Sequence, residues 1–237
     1  MINVQNLTKR YDTTTALEDV SFSVEAGEVL GFLGPNGAGK TTTMRMLTGY
    51  IPPTTGKAIV AGFDVFEQPV QAKRRTGYLP ETPPLYPDMT PRSILRFSGE
   101  LQGMSSAEID QRMRNVIELC RLESVLGKPI GKLSKGFCQR VGMARVLLHE
   151  PDVLIMDEPT AGLDPNQIRE VRNTLRHLGK TKTILISTHI LQEVEPTCTR
   201  VLFIDEGRLV FDGTPAELKA DEKNLDERFH QITSVES

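Results

Sequence analysis

The run GFLGPNGAGKTTT, residues 31–43, restricts this chain more than any other stretch. It contains G-x-x-x-x-G-K-[ST] from Gly34 to Thr41, preceded by the strand-like VLGFLG and followed by KTTTMRMLTG, which reads as a helix. Glycines in such a loop let successive backbone N–H groups converge on an anion at the positive end of the helix. Gly34, Pro35, Asn36, Gly37, Ala38 and Gly39 make the loop, and Thr41 and Thr42 open the helix. Lys40 is placed to reach the β and γ phosphates of a nucleoside triphosphate such as ATP, and the Thr41 hydroxyl suits Mg²⁺. A random chain of this length matches the pattern about once in a hundred at average glycine usage. The strand–loop–helix setting makes chance rarer still.

Short apolar runs recur elsewhere: INV, VSFSV, KAIVAG, VLIM, TILIS and VLFI. Several are separated by helical patterns, which predicts an α/β fold with a mainly parallel sheet. The early runs, with close turn signals, add a small antiparallel part. From about residue 90 to 149 the pattern turns helical. Thr90-Pro91 is a helix start, and Ser105 with Glu108 makes a capping box ahead of Ile109, Met113, Val116, Ile117 and Cys120, which share one helical face. The run DVLIMDEP ends a strand in Asp157 and Glu158, at the carboxyl edge where α/β sheets bind ligands. Asp157 suits Mg²⁺, and Glu158 suits polarising a water for attack on a γ-phosphate. Acidic residues flank many strands, so the pair becomes a specific signal only behind a phosphate loop.

Charge and cysteine usage exclude other classes. The 28 basic and 31 acidic side chains leave a net charge of −3, without the basic excess of a nucleic-acid binder, so no nucleic acid is expected among the partners. Cys120, Cys138 and Cys198 are widely spaced and show neither a C-x-x-C nor a paired pattern, which reads as reduced structural thiols. No signal-like start and no apolar run of about 20 residues is present, so the chain is expected not to cross a membrane.

LSKGFCQR (133–140) resembles the LSGGQxQR signature of the ATP-binding subunits of ABC transporters. AGLDP (161–165) resembles the loop that follows their Mg²⁺ carboxylates, and STH (187–189) ends the TILIS strand where the family has a switch histidine. The resemblance spans nearly the whole chain, with its motifs in the family's order. It implies a P-loop NTPase of the ABC ATPase fold as a single domain over 1–237, with a catalytic core at about 1–80 and 150–220. A helical subdomain with the signature would occupy about 82–149, and a peripheral tail about 221–237. It implies hydrolysis of ATP to ADP and phosphate with Glu158, His189 and Lys40 as catalytic groups, and Mg²⁺ held by Thr41, Asp157 and Glu81. Tyr11 lies where the family stacks an aromatic ring on adenine. Ser134, Lys135, Gly136 and Asp164 would meet ATP across a head-to-tail dimer with a second, identical ATP-binding subunit. The remaining partner would be an integral membrane permease in a separate chain, placing this one in the cytoplasm on the inner face of the membrane.

Two departures stand out. Lys135 and Phe137 replace a glycine and a glutamine of the signature, while Ser134 and Gly136 are kept. Glu81, in GYLPE, stands where the family usually has glutamine; an ionised carboxylate accepts hydrogen bonds but donates none. YLPE together with LSKG resembles exporter-type members, including those of gliding motility. Five prolines from Pro80 to Pro91 admit neither helix nor central strand. A tight connection and a P-x-x-P ligand are the bland readings. The expectation here is a stiff link whose Leu85, Tyr86 and Met89 form the rim of a docking groove for the permease. Rival readings are a soluble, non-transport ATPase of the same fold acting on a macromolecular machine, and a small-molecule kinase. One cassette without heptads argues against the first, and the signature and STH against the second.

Overall fold

The structure is a computed structural model that describes residues 1–220; the tail expected over 221–237 lies outside the described residues. β1 (Ile2–Tyr11) and β2 (Thr14–Val24) pair antiparallel with Ile2 opposite Val24 and Val4 opposite Phe22. Alternate positions such as Ile2 and Val4 are buried while Asn3 and Gln5 are exposed, the period-two pattern of a sheet with one wet face. The chain then enters β3 (Val29–Leu33), the phosphate loop and α1 (Lys40–Leu47), and returns through β4 (Thr55–Val60) and β5 (Phe63–Asp64). These last two complete a four-stranded antiparallel sheet in the order β2-β1-β4-β5.

A second sheet carries the chemistry. After α2 (Pro69–Arg75), β6 (Thr76–Leu79) lies at one edge. β7 (Val153–Asp157), β8 (Thr183–Thr188) and β9 (Arg200–Asp205) join β3 in the order β9-β3-β8-β7-β6, all parallel. β10 (Arg208–Gly213) closes the other edge antiparallel to β9. VLGFL, VLIMD and TILIST are buried at every position, the signature of strands covered on both faces. Successive residues serve opposite cores. Val153 and Ile155 pack with α1 and the antiparallel sheet, whereas Leu154 and Met156 pack with the helices inserted after β6.

Those helices are α3 (Pro91–Leu101), α4 (Ser106–Cys120) and α5 (Lys135–Leu147). Thr90 and Ser105 cap α3 and α4, each with a reciprocal capping box, and Ile109, Met113, Val116 and Cys120 form the buried stripe of α4. Each such aliphatic side chain contributes about 1.5–3 kcal/mol on burial. Past β7 come α6 (Pro165–Leu178), α7 (Leu191–Val194) and α8 (Pro215–Ala220). β6, with four residues, and β10, half-exposed along its length, have no long apolar run to betray them.

The prolines are fastened to the helical block. Ile130 N–H donates to Met89 C=O at 2.8 Å, Gly131 N–H to Pro87 C=O at 2.9 Å, and Arg145 Nη1 to Pro84 C=O at 2.7 Å. Gly142 of α5 meets Pro83 so closely that a Cβ there would lie 2.6 Å from the ring. A segment with its carbonyls so engaged is no free P-x-x-P ligand. The rim expected from sequence needs one correction. Leu85 and Met89 pack inward on the core shared by the helices and the parallel sheet, because their neighbours Pro83 and Pro87 are pinned; Tyr86 alone of the three faces outward.

Candidate functional site

The loop between β3 and α1 is shaped by its glycines. Gly37 and Gly39 have φ of +82° and +104°, and a Cβ on Gly39 would come 2.6 Å from the Ala16 carbonyl oxygen. The first bond of α1 runs from Thr43 N–H to Gly39 C=O at 2.9 Å, so the N–H groups of Lys40, Thr41 and Thr42 precede it. These three residues line a cleft of about 180 Å³ with Asn36, Gly37 and Glu158. The arrangement fits a polyphosphate: donors of a helix N-terminus, no capping side chain to occupy them, and a lysine beside them.

Lys40 is 6% exposed. Its Nζ donates to the Gly34 and Pro35 carbonyls at 2.8 and 3.0 Å and lies 3.6 Å from Glu158 Oε1. Burial pushes the ammonium below its ordinary pKa, with Glu158, then Asp157 and Glu81, working against that. Asp157, at the end of β7, accepts from Ser187 Oγ at the end of β8. Glu158 follows with a left-handed backbone, φ 47°, held by its N–H on the Ser187 carbonyl and hydroxyl oxygens, both at 3.1 Å. Such a conformation costs about 1–3 kcal/mol for a non-glycine residue and persists where the surroundings enforce it. His189 Nδ1 donates to Glu158 Oε2 at 2.9 Å. The Glu158 carboxylate therefore has Lys40 near one oxygen and His189 on the other.

A second cleft, of about 460 Å³, shares Thr41 with the first and brings it together with Glu81 and Asp157. Two carboxylates and a hydroxyl are too few for a protein cage. They suit Mg²⁺, which keeps its waters and binds phosphate oxygens alongside one or two carboxylates. The Tyr78 phenol lines the same cleft and is pushed up to about 12 by burial, then by Asp157.

Other residues named from sequence stand apart. Ser134 caps α5, accepting from Phe137 N–H at 3.4 Å, and Asp164 caps α6, accepting from Asn166 and Gln167 N–H at 3.0 Å. The two helix starts touch. A Cβ on Gly136 would lie 2.4 Å from the Gln167 side chain, and one on Gly162 would lie 2.3 Å from Lys135 Nζ. Neither cleft is lined by Ser134, Lys135, Gly136 or Asp164. Tyr11 is 45% exposed at the end of β1, with Lys9 Nζ 4.9 Å from its ring centroid, and it lines neither cleft. Sequence reasoning passed over Ser187 and Arg145. Ser187 sits inside the STH run, where a small hydroxyl beside a strand-end carboxylate was the available signal; Arg145 lies in no motif.

Residues 17–161 match the family described as ABC transporter. The chain is 40% identical over 227 residues to the Nod factor export ATP-binding protein I of Ralstonia nicotianae, spanning 95% of this chain and 71% of that protein. It is 35% identical over 219 residues to the linearmycin resistance ATP-binding protein LnrL of Bacillus subtilis, spanning 92% and 70%. A solved structure of the ATP-binding subunit of an ABC transporter aligns with a TM-score of 0.86 at 33% identity, over 98% of this chain and 99% of that one.

Proposed function

This chain belongs to the ABC transporter family as an ATP-binding subunit, and from that premise we propose which residues hold and hydrolyse ATP and which meet the transporter's other parts. Lys40 and the N–H groups of the loop from Gly34 to Thr42 hold the β and γ phosphates. Thr41, Asp157 and Glu81 hold Mg²⁺, which when bound neutralises charge on the phosphate oxygens. Glu158 takes the proton of the attacking water, and His189 steadies both that carboxylate and the charge growing on the γ-phosphate. Tyr11 stacks on adenine.

The observation that carries this reading is the Glu158 carboxylate set between Lys40 and His189 at the mouth of the phosphate loop. Glu158→Gln tests it. Turnover of Mg·ATP is expected to fall about 10²–10⁴-fold, the usual loss for a general base, with ATP binding retained. Hydrolysis within a few-fold of the unaltered chain would remove Glu158 from that role.

Two partners complete the proposal. Ser134, Lys135, Gly136 and Asp164 stay clear of the clefts over their own phosphate loop, which supports a head-to-tail pair in which they face the ATP of a second copy. No helix among the described residues is long and apolar enough to cross a membrane. The curated relative and the solved structure are named as an ATP-binding protein and an ATP-binding subunit, which supports a separate permease. A groove of about 400 Å³ between the parallel sheet and α3 is rimmed by exposed Tyr50, Tyr86, Phe97 and Leu101, with the half-buried Arg145 in its lining. An apolar cytoplasmic helix of the permease bearing one carboxylate would complement both rim and cation. The chain then works at the inner face of the membrane. The name of the Nod factor export relative favours export as the direction.

A further inference from the structure

Glu193 is a buried acid that the reaction described above leaves without a task. It lies on α7, four positions past His189, and is 8% exposed. One of its oxygens, Oε2, accepts two buried hydrogen bonds, from Thr160 Oγ1 at 2.6 Å and from Thr188 Oγ1 at 2.9 Å. Thr188 Oγ1 in turn accepts from Ile190 N–H at 3.1 Å. Both neighbours of His189 in the chain are thus tied to Glu193. Thr160 lies two positions past Glu158, in the turn closed by Ala161 N–H on Glu158 C=O at 3.0 Å. We propose that Glu193 is a positioning residue that joins the loop of Glu158 to the loop of His189 and so sets the contact between them.

Two features make this joint more than filling. The His189 side chain is 43% exposed, so packing alone does not fix its ring, and its bond to Glu158 depends on where the backbone on either side places it. Glu158 holds a left-handed φ of 47°, a conformation kept only where the surrounding loop is over-determined. Because a carboxylate oxygen accepts and does not donate, both threonine hydroxyls must point their protons at Glu193. That leaves the Thr188 lone pairs for Ile190 N–H and gives the network a single orientation.

The inference rests on the roles proposed for Glu158 and His189, and the test separates the two. Glu193→Leu keeps bulk and removes the acceptor. Its kcat for Mg·ATP is expected to fall about 10- to 100-fold, the scale of a small misplacement of a reacting group. KM should stay within about twofold, because the phosphate loop hangs on β3 and α1. Glu193→Gln is expected to restore most of the turnover, since one amide oxygen can accept both hydroxyls. In a His189→Ala background, Glu193→Leu should cost little more, because its effect passes through the histidine. Thr188→Val, which leaves no acid stranded, should show a smaller kcat loss of the same kind and stands in if Glu193→Leu fails to fold. Turnover of the Leu variant equal to that of the unaltered chain would overturn the joint, as would a Gln variant no better than Leu. A loss that multiplies with His189→Ala would do the same. If His189→Ala alone turns over normally, the role given to His189 fails and the joint with it; if His189→Ala is slow and Glu193→Leu is not, only the joint fails.

Discussion

At the carboxyl end of the parallel sheet, Lys40, Asp157 and Glu158 are buried, and each is held by contacts inside the chain. At the start of α5, Ser134 and Lys135 stand exposed beside the equally exposed Asp164 of α6. The contrast follows from the cost of burying charge. A buried carboxylate or ammonium is tolerated only with partners in place, so this end of the sheet must be assembled before any ligand arrives. Exposed residues at a helix start need no such compensation and can wait for a surface brought by another molecule. The same division separates Leu85 and Met89, which the helical core absorbs, from Tyr86, which is left outside. One region is finished by this chain; in the proposed assembly the other is finished by its partners.

Substitutions in either region test this division. The largest effect is expected on the unfinished side. Tyr86→Asp puts a charge on the aromatic rim and should abolish co-purification with the membrane permease in detergent, while the isolated chain still binds ATP. Leu85→Asp is a poor substitute, because Leu85 packs on the core and its loss would confuse docking with folding. Normal co-purification of the Tyr86 variant would reduce the proline segment to a connection. The smallest effect is expected at Glu81, which is exposed yet lines both clefts. Glu81→Gln keeps a hard oxygen ligand and should hold turnover within about threefold. An inactive Gln variant would move Glu81 to the finished side, as a ligand whose charge the site requires.

Much of the finished region was legible in the sequence, because its chemistry demands particular residue types at fixed spacing. The loop from Gly34 to Thr41, the Asp157-Glu158 strand end and the STH run at β8 each combine an apolar strand with the polar groups it must present. The caps at Thr90, Ser105, Ser134 and Asp164 were legible for a related reason, since orphan N–H groups at helix starts select a few side chains. What escaped was set by tertiary contact. Nothing in the spacing of PPLYPDM says that Pro84 will accept from Arg145, sixty-one positions away, or that Leu85 and Met89 will turn inward. The Ser187 bond to Asp157 was hidden likewise, because it depends on β7 and β8 being neighbours in a sheet order that the chain order does not reveal.

In the proposed pair each ATP site is shared between two copies, and mixing two disabled variants decides whether it is. Lys40→Ala removes the phosphate lysine, and Ser134→Arg blocks the signature face; each alone should leave little turnover. If Lys40 of one copy and Ser134 of the other serve one ATP, a mixed pair carries both faults in one site and keeps the second site intact. Random exchange makes about half of the pairs mixed. The expected result is Mg·ATP turnover in the equimolar mixture well above that of either variant at the same total concentration. A mixture that turns over at only the average of its two components would contradict the shared site.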